Sequence, residues 1–232
     1  MGKRMRGFFI TGTGTDIGKT FVARLLAEGI SKTMPVSYMK PVQTGSKKGG
    51  NGQLAAPDFD AVKKCRVLVL GPDELHVPYR FLPACSPHLA ARLARVKISL
   101  AKIKACCDRI GRLPGMTSGC VLVEGAGGVL APLGPSVSTI HLIMKLRLPV
   151  ILVTTPELGT LNTTFLSLCA LASTEIPVAG IVINNKSDCP KDFIYRDNVR
   201  EIRAQLKVPV LETGYGVGCT KNVVEFCNEL LA

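Results

Sequence analysis

The chain has 232 residues, 47% hydrophobic and 20% charged, which is enough apolar material for a buried core and excludes wholesale disorder. Aromatic residues make up only 5% and tryptophan is absent, so that core has to be aliphatic. Lys and Arg number 29 against 17 Asp and Glu, and the net charge of +12 suits a nucleic acid, an acidic membrane surface or a small anionic ligand.

The N-terminal third reads strand, loop, helix, strand. Residues 7–11 form a short apolar strand, 12–18 a Gly/Thr loop, and 19–32 an amphipathic helix whose Phe21, Val22, Leu25, Leu26 and Ile30 share one stripe. A second strand, 36–40, is closed by Pro41, and the polar, Gly-rich stretch 44–57 predicts a mobile surface loop. A helix follows Asp58, while 66–70 reads equally well as helix or strand. Ser86 and Pro87 mark the cap and first position of another helix. Further on, 119–123, 149–153, 178–183 and 208–211 are short continuous runs rich in Val and Ile, separated by segments long enough for helices. Strands buried on both faces and alternating with helices predict an α/β fold, one domain over residues 1–232, with a parallel sheet and helices on both faces.

The basic start leads into only Phe8, Phe9 and Ile10 before Thr and Gly, too little for a secretory leader, and no run approaches the roughly 20 apolar residues of a spanning helix. Nine cysteines without a C-x-x-C pair, and only three histidines, argue against a zinc site. They read instead as small buried side chains in a reducing cytoplasm.

Gly12-Thr-Gly-Thr-Asp-Ile-Gly-Lys-Thr20, between a strand and a helix, has the context of a phosphate-binding loop, with one residue more than the usual spacing between its first glycine and Gly18. Backbone N–H groups at the start of such a helix converge on an anion. Asp16, Ile17, Gly18, Lys19, Thr20 and Phe21 are therefore the expected nucleotide-binding run. Lys19 reaches the terminal phosphates and the Thr20 hydroxyl is placed for Mg²⁺. Every later strand also ends in polar residues: Lys40, then Glu124 with Gly125, Ala126 and Gly127, then 154–159, then Asn184 and Asn185. In a parallel sheet these ends lie on one edge, where open α/β folds bind ligands. That predicts one nucleotide site with a second substrate beside it. Glu124 is placed to hold Mg²⁺ with Thr20, and either Asp58 or Asp60 would add an oxygen. Lys40 would be a second cation offsetting charge during phosphoryl transfer.

Seven segments carry a family resemblance: 11–20, Lys40-Pro-Val-Gln-Thr-Gly45, Ser86-Pro-His-Leu-Ala-Ala91, Val123-Glu-Gly-Ala-Gly-Gly128, 148–153, Leu158-Gly-Thr-Leu-Asn162 and Gly180-Ile-Val-Ile-Asn184. In these, and in their order, the chain resembles the dethiobiotin synthetases of the P-loop NTPase superfamily. The resemblance implies a cyclo-ligase using ATP and Mg²⁺. CO₂ adds to an amine of 7,8-diaminononanoate, ATP phosphorylates the carbamate, and the neighbouring amine closes a cyclic urea. It implies Lys19, Lys40 and Thr15 as catalytic, and Thr44 beside the carbamate. Thr20, Asp60 and Glu124 match its Mg²⁺ ligands, and Asn184, followed by Asn185, its adenine-side residues. Gly159 and Asn162 match the part that receives the substrate's carboxylate from the other subunit of a homodimer, with no nucleic acid or membrane partner.

Three departures stand out: Asp16 where Glu is common, Thr163 where His is common, and Asn185 where Asp is common. A partition or positioning ATPase of the ParA and MinD kind is the rival, and the positive charge would suit it. However, Gly14 stands where those proteins carry a signature lysine, and residues 223–232 hold two acids and no Lys or Arg.

Overall fold

Six apolar runs pair side by side in the computed structural model of the chain, which describes residues 6–49, 52–188, 190–214 and 216–232. In chain order, the first elements are β1 (Arg6–Gly12), α1 (Lys19–Ile30), β2 (Val36–Met39), β3 (Val42–Gln43), β4 (Lys47–Lys48), β5 (Leu54–Ala55) and α2 (Pro57–Lys63). Then come α3 (Asp73–His76), β6 (Tyr79–Arg80), α4 (Pro87–Leu93), α5 (Leu100–Ile110), β7 (Cys120–Glu124), β8 (Pro132–Gly134) and β9 (Val137–Ser138). The last are α6 (Thr139–Leu146), β10 (Val150–Thr154), α7 (Thr160–Ala172), β11 (Val178–Asn185), α8 (Phe193–Gln205), β12 (Val210–Gly214) and α9 (Lys221–Leu231). The main sheet runs β12-β11-β10-β1-β7-β2, and every neighbouring pair is parallel.

The sheet is parallel because its strands are apolar on both sides. All five residues of β7 and of β10 are buried. Alternate residues serve opposite faces. Phe9, Val121, Val123, Leu152 and Ile183 join Ile103 of α5, Ile143 of α6 and Ile202 of α8 in one apolar cluster. Phe8, Ile10, Leu122, Val153 and Val182 join Leu26 of α1 and Phe226 of α9 in the other. Helices thus cover both faces, as the sequence predicts.

Local expectations meet three corrections. The run 66–70 is neither helix nor strand: Leu68 N–H donates to Val36 O at 2.6 Å, and Leu68 and Leu70 stay part-exposed. The stretch 44–57 is not only loop, since β4 and β5 pair antiparallel within it. Ser86 does stand at the cap of α4 with Pro87 inside, but its side chain makes no capping hydrogen bond. Among the described residues the cysteines are free thiols, and no helix is long and apolar enough to cross a membrane. Burial pushes the thiols of Cys107, Cys120 and Cys227 up to about 12, whereas Cys169 on α7 is exposed.

Candidate active site

The loop between β1 and α1 is held from both sides. Thr13 N–H donates to Val153 O at 3.0 Å, continuing the β1–β10 ladder past the strand end. From the end of β11, the Asn184 side-chain amide donates to Ile17 O at 2.8 Å, and just beyond it Lys186 Nζ donates to Asp16 O at 2.6 Å. Gly18 has φ of 88°, and a Cβ there would lie 2.0 Å from Asn184 Nδ2, so only glycine fits. Ile17 turns into the apolar cluster under the loop, and Phe21 packs against the same cluster.

Lys19, the first residue of α1, is 7% exposed and returns to the loop, donating to Gly14 O at 2.7 Å. Burial, and secondarily the positive charge of Lys40, lower its ammonium to about 8.

Beside it lies a buried charge centre built by strand register. Met39 on β2 is level with Val123 on β7, which sets Lys40 next to Glu124. Glu124 is 1% exposed; its Oε1 accepts from Lys40 Nζ at 2.6 Å and from Thr20 Oγ1 at 2.8 Å. Its Oε2 accepts from the Tyr38 hydroxyl at 2.6 Å. Lys40 also meets Asp58 Oδ2 at 2.7 Å. Burial alone would lower the Lys40 ammonium, but Glu124 and then Asp58 outweigh it and hold it above the ordinary lysine value. Burial, together with the adjacent Glu124 charge, raises the Tyr38 phenol well above its usual range.

These groups open onto a cavity of about 670 Å³ at the carboxyl edge of the sheet. Of the residues expected there, Thr15, Asp16, Gly18, Lys19 and Thr20 line it from the loop. Lys40, Thr44, Glu124, Ala126 and Gly127 line it from the strand ends.

Others fall elsewhere. Asp60 is exposed and off the cavity wall, and the acid on the wall is Asp58. Two residues apart on a helix means about 200° of rotation, so α2 turns one acid in and the other out. Gly125 is buried, and a Cβ there would meet the Phe9 ring at 3.0 Å. Asn184 and Asn185 are buried at the end of β11, outside the cavity lining. The Asn184 Oδ1 has no hydrogen-bond partner among the described residues. Gly159 and Asn162 are exposed at the start of α7.

Sequence reasoning gave no site role to Tyr38, nor to Gln43 and the 84–87 segment, which line the wall although Gln43, Ser86 and Pro87 fall within the family-like segments. Tyr38 had a usable signal: two residues before Lys40 on one strand, it shares a face with it. Gln43 is 4% exposed, and its Oε1 accepts from Asp58 N–H at 3.3 Å. His76 braces the same corner, its carbonyl accepting from Lys40 N–H at 2.9 Å and its Nδ1 lying 2.8 Å from Tyr38 O.

The oxygens of Thr20, Glu124 and Asp58 are hard donors suited to Mg²⁺. Among the described residues no three His, Cys, Asp or Glu side chains cluster as a cage. This donor set fits a cation shared with phosphate and water, which is how Mg²⁺ is usually held.

Residues 6–213 match a family described as an AAA domain. The chain is 38% identical over 209 residues to the ATP-dependent dethiobiotin synthetase BioD of Anoxybacillus flavithermus, covering 89% of this chain and 90% of that one. It is 32% identical over 229 residues to the protein of the same name from Fusobacterium nucleatum, covering 97% and 100%. A plasmid partition protein from Borrelia burgdorferi superposes with a TM-score of 0.56 at 13% identity over 97% of each chain. The cell division protein MinD of Aquifex aeolicus does so with a TM-score of 0.52 at 13% identity over 96% of this chain and 86% of that one. The partition protein and MinD therefore share the fold, while the sequence likeness lies with the synthetases.

Proposed function

Because the chain belongs to the family of ATP-dependent dethiobiotin synthetases, we propose that it joins CO₂ to 7,8-diaminononanoate and closes the cyclic urea of dethiobiotin, releasing ADP and phosphate. The observation that carries this reading is the convergence of Lys19, Thr20, Lys40 and Glu124 on one cavity at the sheet's carboxyl edge.

The chemistry needs two anions to meet. One substrate amine attacks CO₂ through its nitrogen lone pair and loses a proton, giving a carbamate. A carbamate oxygen then takes the γ-phosphoryl group as the bond to ADP breaks. The second amine attacks the carbonyl carbon of this mixed anhydride and gives up a proton, and phosphate leaves with the electron pair of the carbon–oxygen bond. Carbamate and triphosphate repel each other, so the approach is costly until cations stand between them. Among the described residues, Lys19 at the loop and Lys40 at the strand end are the two positive side chains on the cavity wall. Lys40 keeps its charge despite burial because Glu124 and Asp58 face it. Thr15 and Thr44, on the same wall, would donate hydrogen bonds to carbamate oxygens. Thr20, Glu124 and Asp58 would hold Mg²⁺, which when bound supplies further charge neutralisation to the phosphates; in this reading Asp58 takes the place expected of Asp60.

The unpaired Asn184 Oδ1 supports a nucleotide-base contact, since it can accept from an exocyclic amine. The bare N-terminus of α7, with Leu158 86% and Leu166 62% exposed, supports a homodimer in which Gly159 to Asn162 receives the partner's substrate carboxylate. Free thiols throughout the described cysteines support a cytoplasmic setting.

A phosphate-release assay with ATP, Mg²⁺, bicarbonate and 7,8-diaminononanoate tests the reading. Release that depends on the diamine is expected. Hydrolysis indifferent to the diamine but stimulated by DNA or lipid vesicles would transfer the chain to the partition ATPases.

A further inference from the structure

We propose that the Tyr38 hydroxyl makes Glu124 a one-oxygen metal ligand and thereby selects Mg²⁺ over Ca²⁺. The inference rests on the reading above, that Thr20 and Glu124 hold the cation.

The two oxygens of the Glu124 carboxylate are engaged differently. Oε1 faces Thr20 and Lys40, the side that opens on the cavity, with contacts of 2.8 and 2.6 Å. Oε2 points the other way and is taken by the Tyr38 hydroxyl at 2.6 Å. That hydroxyl has little freedom. Tyr38 is fully buried, and its ring stacks on Phe59 with centroids 6.2 Å apart. Phe59 in turn lies 5.6 Å from the His76 ring, whose Nδ1 is 2.8 Å from the Tyr38 carbonyl. Both the ring and the backbone of Tyr38 are therefore pinned.

For a metal to use both carboxylate oxygens, Oε2 would have to leave the hydroxyl. A buried donor would then be stranded, which costs more than the hydrogen bond itself is worth. Ca²⁺ takes six to eight oxygens and readily accepts a bidentate carboxylate, whereas Mg²⁺ requires a near-ideal octahedron. Occupying Oε2 therefore penalises the larger ion and leaves the smaller one untouched.

The test is Tyr38→Phe in the full chain, which removes one oxygen and keeps the ring on Phe59. Mn²⁺ bound in the presence of a non-hydrolysable ATP analogue is followed by electron paramagnetic resonance and displaced with Mg²⁺ or with Ca²⁺. The ratio of Ca²⁺ to Mg²⁺ affinity is expected to rise about tenfold, within the range by which groups behind a metal ligand tune affinity. A ratio unchanged from the native protein, whether both affinities hold or both fall together, overturns the proposal.

If Tyr38→Phe does not fold, 3-fluorotyrosine at position 38 alone gives a stronger donor in the same space. It should lower the ratio, and an unmoved ratio again counts against the idea. Glu124→Gln separates the two levels of inference. Unaltered Mn²⁺ affinity in that variant removes Glu124 from the metal and the underlying reading with it. Weakened Mn²⁺ binding there, beside an unchanged ratio in Tyr38→Phe, removes only the role given to Tyr38.

Discussion

Lys19 and Lys40 share a cavity wall and are held in opposite ways. Lys19, desolvated and close to Lys40, has an ammonium weakened to about 8. Lys40, between Glu124 and Asp58, has one strengthened. Below pH 8 Lys19 carries its proton with or without nucleotide. Above it the free side chain is neutral, and an arriving triphosphate, which favours the ammonium, must bring a proton with it. Nucleotide affinity should therefore fall as pH rises beyond about 8, with net proton uptake in calorimetry across buffers of different ionisation enthalpy. Zero uptake would mean that Lys19 does not meet the phosphates. The same depressed value means that the free protein gains stability from Lys19 as pH rises from about 8 toward the ordinary lysine range. Lys40→Gln should cut diamine-dependent turnover at least about a hundredfold, ~2.7 kcal/mol of barrier. Circular dichroism should remain native, because Thr20 and Tyr38 still donate to Glu124. Near-native turnover would take Lys40 out of the chemistry. Both lysines were legible in the sequence, one by its Gly-Lys-Thr motif and one by its place at a strand end. Which of Asp58 and Asp60 faces inward was not. That depends on the rotation of α2 about its axis, set by Phe59 stacking on Tyr38 inside the core.

The elements owe their legibility to burial. β7 and β10 are enclosed on both faces, and runs of Val, Ile and Leu announce such strands. Run 66–70 has a similar composition but, among the described residues, meets β2 through a single backbone bond, Leu68 N–H to Val36 O, and no ladder forms. Two-residue pairs such as β3 with β6 carry no periodicity at all, so they emerge only from tertiary packing. The phosphate loop shows how one element is held by another: the Asn184 amide at the end of β11 occupies the space where a side chain at position 18 would go. Gly18→Ala should destabilise the protein by at least about 1–2 kcal/mol, from the left-handed backbone alone, and more as Asn184 is displaced. Gly14→Ala is the control: the nearest atom to its Cβ would be Ile17 Cγ2 at 3.8 Å, and it should be nearly neutral. Urea denaturation of the two variants measures the difference, and equal midpoints would contradict the close packing at Gly18.

On the scale of the whole molecule, most of the net charge of +12 lies away from the site, since among the described residues Lys19 and Lys40 are the Lys and Arg residues on its wall. The side of α7 away from the sheet is the more telling surface. The helix is apolar along most of its length, yet only Thr160, Thr164 and Leu171 are buried. Leu166 stands 62% exposed beside Leu130, also 62% exposed, along one groove. A helix with this composition reads as core in a sequence. Its bareness shows only when the other described residues are seen not to cover it. If that face joins two subunits, Leu166→Arg should sediment as a monomer, keep its affinity for ATP and lose at least about tenfold in diamine-dependent turnover. A native sedimentation coefficient in the variant would place the contact elsewhere.

The cysteines supply a built-in way to follow both events. Cys107, Cys120 and Cys227 are sealed and hold their protons to about pH 12, so alkylating reagents at neutral pH have little to attack there. Cys85 borders the nucleotide cavity, and Cys169 sits out on α7. A maleimide applied to the unaltered protein thus has two informative destinations: one should be shielded when ATP fills the cleft, the other if the α7 face joins two copies.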